Sequence, residues 1–96
     1  MKVRFVGPAY SQLGDILSDL ASKNPKAADG LATRVDEIVR RLTKYPLAFQ
    51  SVEARPGIRR VPLTPYPYIV FYRVSKDKVE VVAVAHGARK EPWEDL

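Results

Sequence analysis

The stretch Tyr68-Ile69-Val70-Phe71-Tyr72-Arg73-Val74 is apolar on both parities of a two-residue period. Tyr68, Val70, Tyr72 and Val74 fall on one side, Ile69 and Phe71 on the other. A strand with two apolar faces belongs in the middle of a sheet, so it needs strand neighbours. Candidates stand close by. Ile58–Leu63 gives a strand signal before a "TPYP" turn, and Val79–His86 gives another after "SKDK", two-sided through Val84. A fourth opens the chain: residues 2–6 (KVRFV) alternate, with Val3 and Phe5 on one face, and Gly7-Pro8 stops them.

Between the first strand and the rest the period changes from two to between three and four. Ala9, Leu13, Ile16, Leu17 and Leu20 form the stripe of an amphipathic helix, with Pro8 in a tolerated first-turn position. Asn24 is placed to cap a second helix and Pro25 suits its first position. Ala27, Leu31, Val35, Ile38, Val39 and Leu42 make the buried stripe of that helix, and Tyr45-Pro46 ends it. Gly30 inside it costs about 1 kcal/mol relative to alanine, which the stripe outweighs. Residues 47–56 read as loop. The order β-α-α-β-β-β predicts an α+β fold, a helical hairpin laid on a mainly antiparallel sheet. With 96 residues and no linker or repeat, residues 1–96 are expected to form one domain.

Composition narrows the chemistry. There is no cysteine and a single histidine, His86, so thiolate catalysis and Cys- or His-rich metal sites are excluded, and no cofactor is expected. No apolar run is long enough for a signal peptide or a membrane span, which points to the cytoplasm. Sixteen Lys plus Arg against eleven Asp plus Glu leave a formal charge of +5, which draws acidic partners.

The cations are grouped. Arg55, Arg59 and Arg60 lie within six residues, and Arg73 and Arg89 end the next two strands. Each alone reads as solvated edge charge that discourages sheet-to-sheet pairing. Together they read as a rim facing an anion, since a guanidinium fork matches a carboxylate or phosphate. His86, at a strand end, reads first as a structural hydrogen-bonding group and second as a general acid or base. Tyr68 and Tyr72 read as core residues with satisfied hydroxyls. Trp93 reads as folding back onto an apolar patch, with partner contact second. RNA cleavage without metal needs a base, an acid and cations around the phosphate, and the chain offers a single histidine, His86, for the proton transfers.

The order of elements, "NPKAADGLATRVDEIVRRLTKYP", "GIRRVPL", "YPYIVFYRV" and "VEVVAVAHGAR" resemble the RelE/ParE superfamily of toxins of type II toxin–antitoxin systems, across nearly the whole chain. The resemblance implies a growth-arresting, plasmid-stabilising toxin held in a hetero-oligomer by a cognate antitoxin, ParD-like, with an acidic C-terminal segment. RelE-like members resemble one another in cleaving mRNA on the ribosome, and ParE-like members in inhibiting DNA gyrase.

Nuclease members typically read Tyr-Arg-aliphatic-x-Tyr on the central strand. Here the same stretch is Tyr68-Ile69-Val70-Phe71-Tyr72, with isoleucine in the arginine's place. Of a basic pair expected on the preceding strand, Arg60 matches and Pro62 does not; Arg89 matches an arginine after the last strand. No tyrosine follows residue 72. A further departure is Pro46-Leu47-Ala48-Phe49, where members often carry Pro-x-x-Gly. The "HGAR" ending is more similar to ParE. The resemblance therefore implies a gyrase inhibitor with no catalytic residues, meeting its partners through Arg55, Arg59, Arg60, Arg73, Arg89 and Trp93. The alternative is a RelE-like endoribonuclease using Arg60, His86 and Arg89. Solvent-facing Arg59 and Arg89 are expected to be dispensable for folding.

Overall fold

A computed structural model describes residues 1–87. Its elements are β1 (Lys2–Phe5), α1 (Ala9–Lys23), α2 (Pro25–Lys44), β2 (Gln50–Ser51), β3 (Arg59–Pro62), β4 (Tyr68–Ser75) and β5 (Lys78–His86). The strands form one sheet in the order β1-β5-β4-β3-β2. β1 runs parallel to β5, and every other pairing is antiparallel. The expected α+β arrangement is therefore the observed one. The sheet holds one strand more than expected: β2 is two residues long, too short to show a period, and pairs Gln50 with Arg60 and Ser51 with Arg59 inside the stretch read as loop.

Local chemistry sets the helix ends. Asn24 is extended (φ −154°), and its Oδ1 accepts from the Ala27 amide at 3.1 Å, while Pro25 fills the first position of α2. At the other end the Tyr45 amide donates to Arg41 O at 2.7 Å, and Pro46 stops the helix. The seam of α2 that is fully buried runs Ala28, Leu31, Val35, Ile38 and Leu42. Ala28 takes the place expected of Ala27, because alternating steps of three and four from Leu31 back along the helix lead to it. The stripe of α1 is less enclosed: Ala9 is buried, and Leu13, Ile16, Leu17 and Leu20 are partly so.

The helices cover one face of the sheet. Leu31, Ile38 and Leu42 pack there with Val61, Leu63, Val70, Tyr72, Val79, Val81 and Val84. A smaller cluster of Ile58, Phe71 and Ala83 lies on the opposite face. Between β4 and β5 the register shifts: Phe71 opposes Ala83 and Tyr72 opposes Val81, leaving Val82 as an extra residue. That insertion moves the core-facing positions of β5 from Val79 and Val81 to Val84, so these three valines share the helix-covered face while Val82 packs on the other. The Val84 amide beside the bulge donates to Gln12 Oε1 of α1 at 2.9 Å, so the helix supplies an acceptor close to the irregularity.

Gly30 has a physical reason. A Cβ at this position would overlap the Tyr66 hydroxyl, which comes from the turn between β3 and β4 and lies against α2. Gly30→Ala is therefore expected to lose stability, by about 1–3 kcal/mol, although alanine is the better helix former. Removing the hydroxyl in Gly30→Ala/Tyr66→Phe should recover much of that loss in urea denaturation. Equal midpoints for the single and double variants would contradict the contact.

Candidate functional site

β3 and β4 carry most of the cations singled out from the sequence, and the pairing distributes them over two faces. Arg59 is opposite Tyr72, and Arg60 is opposite Phe71. Because neighbours alternate along a strand, Arg59 lies on the helix-covered side and Arg60 on the other. Arg73, two residues beyond Phe71, shares the outer side with Arg60.

On the inner side Arg59 is occupied. Its Nη1 donates to the Phe49 carbonyl at 2.7 Å and to the Leu47 carbonyl at 3.4 Å. Tyr72, fully buried next to it, donates its hydroxyl to the Pro46 carbonyl at 2.8 Å and meets the Phe49 ring edge-on at 6.4 Å between centroids. The Arg41 guanidinium lies over the other aromatic partner, the Phe49 ring, 5.7 Å from its centroid. These contacts fasten the segment leaving α2 to the sheet. Arg59 thus differs from the expected rim arginine: it is half-buried and holds backbone, so it matters to the fold. Burial raises the Tyr72 pKa above its ordinary value of 10.0, opposed by the Arg59 charge and by a hydrogen bond involving the Phe49 backbone.

On the outer side Arg73 is paired. Its Nε donates to Glu80 Oε1 at 2.9 Å across the β4–β5 hairpin. The side chains of Arg60 and of the exposed Arg55, beyond β2 in the hairpin loop, make no hydrogen bond or ion pair among the described residues. Between them the outer surface is apolar. Ile69, with Val52, Val82 and Ala85, packs around Ile58, Phe71 and Ala83. His86 closes β5 opposite Tyr68, the rings meeting edge-on at 5.5 Å. Arg89 and Trp93 lie outside the described residues. Among the described residues no three His, Asp or Glu side chains gather as a metal site, and no helix is long and apolar enough to cross a membrane.

The structure thus brings Arg60 and Arg73 to one face with Arg55 in the adjacent loop, and sets Arg59 apart. Two partners escaped the sequence reading. Glu80 was legible, because counting back from the Lys76-Asp77 turn sets it opposite Arg73. Phe49 was not, since nothing local marks an aromatic in a loop as the seat of two cations.

Two substitutions test the fastening. Arg59→Ala is expected to cost about 1–3 kcal/mol of unfolding free energy by leaving the Phe49 carbonyl without its charged donor. An unchanged denaturant midpoint would return Arg59 to the surface. Tyr72→Phe is expected to lose about 1 kcal/mol through Pro46. The raised pKa also fixes a sign: folding favours the neutral phenol, so its contribution is complete below pH 10 and is lost as pH rises through the folded-state value. The stability difference between the parent and Tyr72→Phe should hence be level across neutral pH and change only in the alkaline range.

Comparison with known proteins agrees with this architecture. The family described as "ParE toxin of type II toxin-antitoxin system, parDE" matches residues 3–91. "Putative toxin Y4kP" of Sinorhizobium fredii (strain NBRC 101917 / NGR234) is 30% identical over 95 residues, which cover 95% of this chain and 93% of that protein. In fold, the chain is similar to a solved chain of the "Chromosomal ParDE TA system from P. aeruginosa", with a TM-score of 0.76 and 20% identity. That likeness covers 90% of this chain and 95% of the other. With its helical hairpin, its mixed sheet and the family match over residues 3–91, the chain belongs to the ParE toxin family of type II toxin–antitoxin systems.

Proposed function

We propose that this ParE-family toxin arrests growth from the cytoplasm by binding DNA gyrase and stabilising its cleaved complex with DNA, without catalytic chemistry of its own. A cognate antitoxin with an acidic C-terminal segment neutralises it in a hetero-oligomer. Residues 55, 60 and 73, with Arg89 and Trp93, are proposed as contact residues for these partners.

The observation that carries the reading is the setting of Ile69. The nuclease relatives resemble one another in placing an arginine at this point of the central strand to hold phosphate. Here the position belongs to the apolar patch of Ile58, Phe71 and Ala83. Loss of one charged contact to a developing oxyanion raises a barrier by about 3–4 kcal/mol, roughly a hundredfold to a thousandfold in rate. Arg60 and His86 remain, but on opposite faces: His86 pairs with Tyr68 on the helix-covered side, while Arg60 lies on the outer side with Phe71 and Ile69. Such a face suits docking more than phosphate chemistry, and the +5 charge gives an acidic antitoxin segment its attraction.

The purified chain should inhibit supercoiling by gyrase, or accumulate linear plasmid, in the presence of ATP. It should leave messenger RNA on translating ribosomes intact. Cleaved message with gyrase unaffected would replace this reading by the endoribonuclease one. Ile69→Arg, which restores the charge, is not expected to create RNA cleavage by itself, because the proton donor would still be lacking.

A further inference from the structure

The segment that leaves α2 is held from behind and bare in front. Its carbonyls at Pro46, Leu47 and Phe49 accept from Tyr72 and Arg59, and the Ala48 amide closes a turn onto Tyr45 O at 3.2 Å. Yet the side chains of Tyr45 and Leu47 are 64% and 63% exposed. Met1, 44% exposed, starts beside this segment, since its terminal ammonium donates to Thr43 O at 2.9 Å in the last turn of α2. Large apolar groups standing in water on a backbone fixed by charged and buried partners are a preformed contact surface, since little ordering entropy is left to lose on binding.

The chain on either side of Tyr45 and Leu47 carries one sign. From Ile38 to Val52 there is no acidic residue, and Arg40, Arg41 and Lys44 lie in this interval. Arg40 and Lys44 are one turn apart on α2 and exposed, a like-charge spacing that weakens a helix. Asp36, a turn before Arg40, is the acid that follows on the helix, and Glu37 is engaged by Arg34 at 3.0 Å. An apolar centre within a basic margin selects its occupant. A second copy of this chain would set cations against cations. Nucleic acid would use the cations and the tyrosine ring but leave Leu47 and Met1 unmatched. A backbone held in place also favours a partner of defined shape over a fluid lipid surface.

We infer that the end of α2, with Tyr45, Leu47 and Met1 at its centre and Arg40 and Lys44 at its margin, is a docking site for an acidic peptide segment carrying apolar side chains on a partner protein. Leucine-sized side chains of the peptide pack on Leu47 and Met1, and its carboxylates meet Arg40 and Lys44. The acidic segment proposed above for the antitoxin has this chemistry. The inference goes beyond that reading, being argued from the surface, and its test contains neither antitoxin nor gyrase.

The test selects displayed random peptides on the purified full chain and counter-selects on a folded Leu47→Ser/Lys44→Glu variant. Peptides surviving both steps should be enriched in Asp or Glu together with Leu, Ile or Phe. A synthetic copy of one should shift the nuclear magnetic resonances of Leu47, Tyr45 and Lys44. Its affinity should fall by about tenfold or more for Leu47→Ser, and similarly for Arg40→Glu, with unchanged thermal melting, the loss expected of an interface anchor. Selected peptides without acidic residues would overturn the inference, as would binding unaffected by either variant. So would stronger shifts at the same residues from duplex DNA, RNA or anionic phosphatidylserine vesicles than from the peptides.

Discussion

Tyr72 and Arg59 are partners across two strands, and together they take hold of the chain as it leaves the longer helix. One gives a buried hydroxyl, the other a guanidinium, and both find backbone carbonyls within four residues of one another. The pairing does two things. It satisfies polar groups that the core would otherwise strand, and it ties the end of α2 to the middle of the sheet. The path of residues 45–49, the position of the β2 edge and the orientation of Phe49 follow from that attachment. With an aliphatic residue at 72 the core could still be filled, yet the segment after α2 would lose its anchor.

The same arrangement divides the positive charge by task. Arg59 and Arg41 work within the molecule, on carbonyls and on a ring, and Arg73 is matched by Glu80. Arg60, Arg55, Arg40 and Lys44 have no such duty among the described residues. A net charge taken over the whole chain hides this division. For a member of the ParE family the distinction matters, because charge already spent on folding contributes less to recognition than charge left facing water.

Much of the architecture was legible because it rests on periodicity and punctuation. The stripes of the two helices, the Asn24-Pro25 start, the Tyr45-Pro46 stop and three of the later strand segments follow from side-chain spacing and backbone preference, which act locally. The two-residue β2 carries no period and exists only because β3 offers it an edge. The bulge at Val82 was invisible for a different reason: Val82 and Ala83 are both apolar, so an inserted residue leaves the pattern unbroken. Arg59 looked like its neighbour Arg60, and what separates them is the parity of a pairing with Tyr72 and the arrival of a loop from earlier in the chain. Ala28 takes the place of Ala27 on the seam through a difference of one position, which composition cannot show between two alanines and only the strict alternation of three- and four-residue steps decides.

The parallel pairing of β1 with β5 has a consequence for synthesis. The strand made first finds its hydrogen-bonding partner in the strand made last among those described, and that late strand lies inside the sheet, between β1 and β4. While a ribosome is still extending the chain, the opening residues have no edge to join, and the helical hairpin lacks β5 from the floor it packs on. The complete sheet must therefore wait until residues 78–86 have left the exit tunnel, and a product ending before them would lack it.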